Sequence, residues 1–369
     1  MSKAYSPNTM LDSGAFSAWY HKDTIEIKDY MAFIEQHGPR FCSIVALDKI
    51  PGEKMQMAKT PAAIEAAAKE SHKNFEIMRK AGIDCIPVFH MGEDFKWLER
   101  MLDDRVPYIG ISPYMKAGTD SILVWMDECF TRLSDNEGRP LCKTHGFGVT
   151  THQVIQRYPW YSVDSTSWAL AAGYGKVMMP RVLSGGKLDF VHPVRFSMTE
   201  REAAGFNNMV NIGPAGRKAA DEYFKSIGFS FTEVRNFQQA RLAVNASFFM
   251  GLEKQLPGGP FRYRKGPNSR KVRPYSEHAA AFDYRPRVIL ATMVKIQQQG
   301  VVLTNLRAPN RLISYYDARR FEPEQIEEYT TNGFCGRGRY KYRRGTKSHS
   351  LRRSMLFLKR LEMQKETDE

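Results

Sequence analysis

Cysteine is scarce in this chain of 369 residues. The five present, Cys42, Cys85, Cys129, Cys142 and Cys335, are odd in number, widely spaced and free of any Cys-x-x-Cys pair. That excludes a disulfide framework and a thiolate zinc site, and isolated buried thiols are expected. Also missing is any run near the ~18 uninterrupted apolar residues of a membrane span, or a basic-then-apolar opening like a secretion signal. A cytoplasmic protein with no membrane partner is therefore expected. Neither a Gly-x-Gly-x-x-Gly turn nor a phosphate-binding loop follows the early strand-like runs, which argues against a doubly wound nucleotide fold. Long internal repeats are absent, and no residue pattern calls for a cofactor or a metal.

What the chain does hold is enough apolar residue, 42%, for a full core, and length for a barrel of about 250 residues with an appended domain. Its charge is lopsided. Residues 1–200 carry 23 Lys and Arg against 24 Asp and Glu, a net of −1, whereas residues 201–369 carry 31 against 16, a net of +15. The excess gathers at Arg262, Arg264, Lys265, Arg270, Lys271 and Arg273, and again between Arg337 and Arg360, including Arg343 and Arg344. Aromatics and glycines interleave both stretches, as in Phe261-Arg262-Tyr263-Arg264-Lys265-Gly266. Cations neutralise phosphates while aromatic faces stack on unpaired bases, so a nucleic acid is the expected partner. A solvated basic surface or a disordered tail is the alternative.

The first two hundred residues alternate short apolar runs with helical stretches, the pattern of parallel strands joined by crossover helices. Strands are expected at Thr9–Leu11, Cys42–Leu47, Cys85–Phe89, Tyr108–Ser112, Gly146–Thr150, Trp160–Val163, Lys176–Met179 and Met209–Ile212. Helices are expected at Ile25–His37, Pro61–Ala81, Glu93–Leu102 and Ile122–Leu133, and later at Arg217–Ile227, Phe237–Leu252, Pro286–Gln299, Pro323–Tyr329 and Ser350–Gln364. Eight strands close a (β/α)8 TIM barrel, here in residues 1–213. Residues 214–369 would form a mainly helical, basic nucleic-acid-binding region, with scope to complete the barrel's outer layer.

In such a barrel, chemistry gathers at the C-terminal strand ends. Those ends read Asp12, Asp48, His90, Ser112, Thr150 with Thr151, and Asp164. Two of them open Asp-Ser signatures, Leu11-Asp12-Ser13-Gly14-Ala15-Phe16-Ser17 and Val163-Asp164-Ser165-Thr166-Ser167-Trp168. Each Asp suits a cap on the helix that follows. A pair of carboxylates brought together by a closed sheet equally suits nucleophile and general acid/base at a glycosidic carbon.

This constellation resembles the tRNA-guanine transglycosylase superfamily over about residues 9–180. The first signature is similar to the family's Asp-Ser-Gly-Gly-Phe/Tyr-Gln, and the second to its Phe-Asp-Ser-Ala-x-Tyr-Ala-Leu. Ala46-Leu47-Asp48 looks like its second base-reading Asp, Tyr108-Ile109-Gly110-Ile111-Ser112 like its Gly-rich backbone-contact strand, and Gly146-Phe147-Gly148-Val149-Thr150 like its Met-Gly-Val-Gly stretch. The family's two glutamines are replaced by His90 and Ser17, and its zinc-binding Cys/His cluster is missing. The chain looks most like the phage-type, DpdA-like branch that acts on DNA.

The resemblance implies a glycosyltransferase that replaces guanine with a 7-deazaguanine such as 7-cyano-7-deazaguanine. Asp164 would be the nucleophile of a covalent glycosyl-Asp intermediate and Asp12 the general acid/base. Asp48 and His90 would line the base site, Phe16 would stack on the ring, and backbone near Gly110, Ile111 and Ser112 would donate to O6. DNA is the implied substrate, in the host cytoplasm if phage-encoded. The alternatives are tRNA as the substrate, or a non-catalytic nucleic-acid-binding barrel. The charge split generates a first prediction: removing the residues after Gly333 weakens DNA binding and flattens its salt dependence, because fewer phosphate contacts release fewer counterions. An unchanged salt slope in a fluorescence titration would show that this tail is not the docking surface.

Overall fold

A computed structural model of the protein describes residues 7–53, 56–58, 60–114, 116–149, 152–198, 208–209, 211–256, 263, 286–291, 302, 306 and 308–330. In chain order its strands are β1 (Asn8–Asp12), β2 (Ser43–Ile44), β3 (Gly52–Glu53), β4 (Gln56–Met57), β5 (Val88–His90), β6 (Tyr108–Ser112), β7 (Lys143–Gly146), β8 (Ser162–Ser165), β9 (Lys176–Val182), β10 (Leu188–Ser197), β11 (Arg287–Ala291) and β12 (Asn310–Ser314).

Eight of these form one parallel sheet in the order β2-β1-β12-β11-β8-β7-β6-β5. The sheet curls until its two outer strands meet. A parallel bridge pairs Val45 with Ile86, where Ala46 N–H donates to Ile86 O and Ile86 N–H to Ile44 O, each at 2.8 Å. Side chains alternate across the strands. Met10, Val45, Ile86, Val88, Ile289, Ala291 and Leu312 form one cluster with Tyr108 and Phe147 packed on it, inside the curl. Leu11, Phe89, Ile109, Ile111, Val163 and Ile313 belong to the larger cluster under the helices.

Helices α1 (Ala15–His21), α2 (Ile27–His37), α5 (Thr119–Arg132) and α6 (His152–Arg157) are accompanied by two whose caps follow ordinary chemistry. Helix α3 (Pro61–Lys80) starts with proline, and the Thr60 side chain accepts from Ala63 N–H; helix α4 (Phe95–Asp103) is capped by Asp94, which accepts from Lys96 N–H. In α4, Trp97, Leu98 and Met101 are buried at the 3–4 residue spacing of an amphipathic helix.

Several expected elements fall elsewhere. Lys176–Met179 is a strand, but β9 pairs antiparallel with β10 in a separate hairpin. Met209, Asn211 and Ile212 are not in a strand. The sheet is completed by β11 and β12, so residue 213 does not bound it, and Pro286–Gln299, expected as a helix, opens with strand β11. Its run Val288-Ile289-Leu290-Ala291 is apolar throughout because both faces are covered, which periodicity cannot tell from a buried helix. The fifth and sixth sheet strands end at Gly146 and Ser165 rather than Thr150 and Val163. Pro323–Thr330 is helical as expected, while Ser350–Gln364 lies outside the described residues.

Between β8 and β11 the chain inserts the β9–β10 hairpin and helices α8 (Pro214–Ser226), α9 (Phe231–Asn236) and α10 (Gln238–Gln255), following α7 (Ser167–Gly173). Helix α10 is buried on every side, as a core helix is. Asn245, wholly buried within it, donates to Trp168 O at 2.9 Å and Lys176 O at 3.2 Å, and accepts from Met178 N–H at 2.8 Å. Trp168 in turn donates from Nε1 to Ala291 O at 3.0 Å, tying α7 to β11. Replacing Asn245 by Leu removes three hydrogen bonds to backbone groups in the interior. The expected loss is on the order of 3 kcal/mol of unfolding free energy, measured by urea denaturation; a loss below about 1 kcal/mol would show that α10 is not held this way.

Candidate active site

Counting two residues on from an inward-facing position of each strand gives the polar end of the curl. Asp12 follows Met10, His90 follows Val88, Ser112 follows Gly110, Asp164 follows Ser162 and Ser314 follows Leu312. All five line one cavity of about 450 Å³, with Phe16, Asp48, Tyr114, Phe147 and Gly148. That volume falls within the ~300–1,000 Å³ of small-molecule sites. A larger cavity, about 1130 Å³, opens at the opposite strand ends among Lys143, Tyr161 and Arg287. Barrel enzymes work at the C-terminal end, and the clustered carboxylates lie there too.

Asp12 turns into the pocket on a tight bend in which its Oδ2 accepts Gly14 N–H at 3.2 Å. Gly14 has φ +81°, and a Cβ there would meet Tyr316 Cβ at 2.5 Å, so glycine is required. Burial first, then the charges of Asp48 and Asp164, push the Asp12 carboxyl up to about 8. At neutral pH it therefore carries a proton.

Asp48 is held from two sides. Ser13 Oγ donates to Oδ1 at 2.7 Å, and His90 Nε2 lies 2.9 Å from Oδ2. His90 Nδ1 lies 3.0 Å from Glu93 Oε1, and the His90 N–H donates to Glu93 Oε2 at 3.2 Å. Burial opposes the imidazolium, but Glu93 and Asp48 outweigh it and raise His90 to about 10.

Asp164 does not cap the helix it precedes, which has no side-chain cap at its start. Its Oδ1 accepts Gly148 N–H at 2.7 Å and lies 3.5 Å from His145 Nε2. Gly148 reaches it from a turn with φ +64°. His145 is wholly buried and is fixed from behind by Ser162 Oγ, 2.6 Å from Nδ1. The backbone N–H fixes one oxygen of a carboxylate that lines the cavity.

Of the residues singled out in the sequence, Asp12, Phe16, Asp48, His90, Ser112 and Asp164 share the cavity. Gly110 and Ile111 do not. Ile111 is buried under the helices, and Gly110 lies beneath Phe147, whose ring carbon a Cβ would meet at 2.5 Å. Glycine there makes room for that ring. Sequence reading missed Ser13, Glu93, His145 and Asp317. Inward alternation from Lys143 points to His145; nothing local distinguishes Glu93 from an ordinary start to a helix. Arg262, Arg264, Lys265, Arg270, Lys271, Arg343 and Arg344 lie outside the described residues, as do Thr150 and Thr151. The four described cysteines are free thiols. Among the described residues, His72, Glu76 and Asp104 have ligand atoms within 4.8 Å of one another, close enough to share a cation, but they do not line the cavity.

The raised Asp12 carboxyl makes stability pH-dependent. Its folded value exceeds the unfolded 3.8, so the folded state binds the extra proton, and this stabilisation is full below pH 4 and lost as pH rises towards 8. Asp12→Asn removes that dependence. Its Tm advantage over wild type grows from pH 4 to pH 8 and then levels; an advantage constant with pH would show that Asp12 titrates normally.

Compared with family models, curated proteins and solved structures, the chain matches none of the three. The cavity's own chemistry carries the functional reading.

Proposed function

We propose that this protein is a base-exchange transglycosylase, replacing guanine in DNA with a 7-deazaguanine through a glycosyl ester on Asp164. In this reading the curled sheet is a (β/α)8 barrel with its active site at the C-terminal strand ends. The observation that carries it is the meeting of Asp12 and Asp164 in one cavity, where burial and the neighbouring charges raise the Asp12 carboxyl. Two carboxyl groups in different protonation states are what double displacement at an anomeric carbon requires.

The steps balance with these two groups. An Asp164 oxygen attacks C1′ as the C1′–N9 bond breaks; the electron pair leaves on guanine, which takes the Asp12 proton. The incoming 7-deazaguanine gives its N9 proton to the Asp12 carboxylate, and its nitrogen displaces Asp164 from C1′. Asp48 accepts from the N1–H and 2-amino group of either base. Phe16 and Tyr114 on the cavity wall supply apolar faces for the ring. The target nucleotide leaves its helix to enter, so a flipped or single-stranded guanine is implied. The basic half of the sequence supports a polyanion, and the missing zinc cluster favours DNA over tRNA.

Labelled guanine, or 7-cyano-7-deazaguanine, is expected to enter DNA on incubation with the purified protein, and tRNA at most slowly. Asp164→Asn abolishes incorporation without lowering Tm, because an amide cannot form the ester. Full activity of that variant sinks the nucleophile assignment, incorporation into tRNA alone overturns the choice of DNA, and no incorporation into either overturns the reaction.

A further inference from the structure

The turn His90-Met91-Gly92-Glu93 returns the chain on itself. Glu93 N–H donates to His90 O at 3.2 Å, and Gly92, at φ +103°, occupies a backbone region that L side chains rarely adopt. The turn folds the Glu93 carboxylate under its own first residue, where Oε2 accepts the backbone N–H of His90 and Oε1 lies 3.0 Å from its ring Nδ1. The side chains of Glu93 and His90 are 2% and 4% exposed, and that of Asp48 9%. A carboxyl oxygen faces each ring nitrogen, and an imidazole with two N–H groups satisfies both contacts at once.

We propose that Glu93 is a positioning residue that, through a doubly protonated His90, holds Asp48 as a fixed acceptor for a base edge with two adjacent N–H donors. Glu93 touches no substrate. Its buried charge holds the His90 proton, and His90 with Ser13 occupies one lone pair on each Asp48 oxygen, leaving the others for the base. Such an acceptor favours a guanine-type edge and rejects an adenine-type one, whose N1 is itself an acceptor. Other ionisable groups around the chain are Asp12, Asp164, Asp317, Lys116 and the tyrosines Tyr20, Tyr114 and Tyr174 in the same cavity, and His72, which borders a small void with Asp48 and Glu93. Of these only Lys116 and His72 can bring positive charge, and neither stands between His90 and its two carboxylates. The base-reading part rests on the transglycosylase reading; the Glu93–His90–Asp48 chain does not.

The test uses the full chain with 15N-labelled histidine, with Glu93→Gln and the partial rescue Glu93→Asp. Imidazole nitrogen shifts of wild-type His90 are expected to stay doubly protonated from pH 6 to 9. In Glu93→Gln one anionic neighbour is gone, and His90 is expected to lose a proton by pH 8. By calorimetry, Glu93→Gln binds guanine within threefold of wild type at pH 6 but at least tenfold more weakly at pH 8, and Glu93→Asp lies between. A wild-type His90 that is singly protonated at pH 7, or a Glu93→Gln profile like that of wild type, overturns the proposal. Should wild type bind no guanine, the transglycosylase reading falls while the nitrogen shifts still decide the role of Glu93.

Discussion

Three carboxylates crowd one end of the sheet, and their mutual repulsion is the constraint on which the site depends. Asp12, Asp48 and Asp164 are near enough for the charges of the last two to act on the first. In a half-buried cavity they cannot all remain ionised without compensation. The protein meets this in three ways: a proton on Asp12, an imidazolium and a hydroxyl on Asp48, and a backbone N–H on Asp164. Each carboxyl thus receives a different treatment, and different treatment is what the proposed division into acid, reader and nucleophile needs within one pocket.

The sheet supplies the geometry for this at no local expense. Because side chains alternate with period two, an apolar residue that fills the interior is followed two positions later by one at the rim. The same strands that build the inner cluster therefore deliver the polar residues, and a one-residue slip in any strand would bury its carboxylate or imidazole under the helices. Parity also explains Ile111, which has the chemistry of a core residue and the wrong phase to reach a ligand.

How much of this is legible in the sequence divides along the same line. Asp12, Asp48, His90, Ser112 and Asp164 are readable because strand ends next to helix starts mark the rim. Strands β1, β5 and β6 are readable as apolar runs between turns. Strands β11 and β12 are not, since Val288–Ala291 is apolar in succession and a long insertion separates it from β8, hiding the eightfold count. The β9 strand misleads for the converse reason: Val177, Met178 and Met179 are buried, but against α10 and β10 rather than within the main sheet. His145 could be found by alternation along its strand, whereas Glu93 reaches the site only through His90, a contact that a single sequence does not show.

The pairing of β1 with β12 has a consequence for how the molecule is made. Asn8 lies opposite Asn310, and their side chains are linked at 3.2 Å across 302 residues of chain. Ribosomes add about 5–20 residues each second, so β1 waits tens of seconds for that partner. Until then one flank of β1, with Asp12 at its tip, is an unpaired edge of the kind that recruits stray strands. The nascent chain is thus most open to mispairing while it holds Asp12 and Asp164 but lacks the strand that pairs with β1. Synthesis of the last sixth of the chain then marks the passage from an aggregation-prone polypeptide to one with a finished pocket.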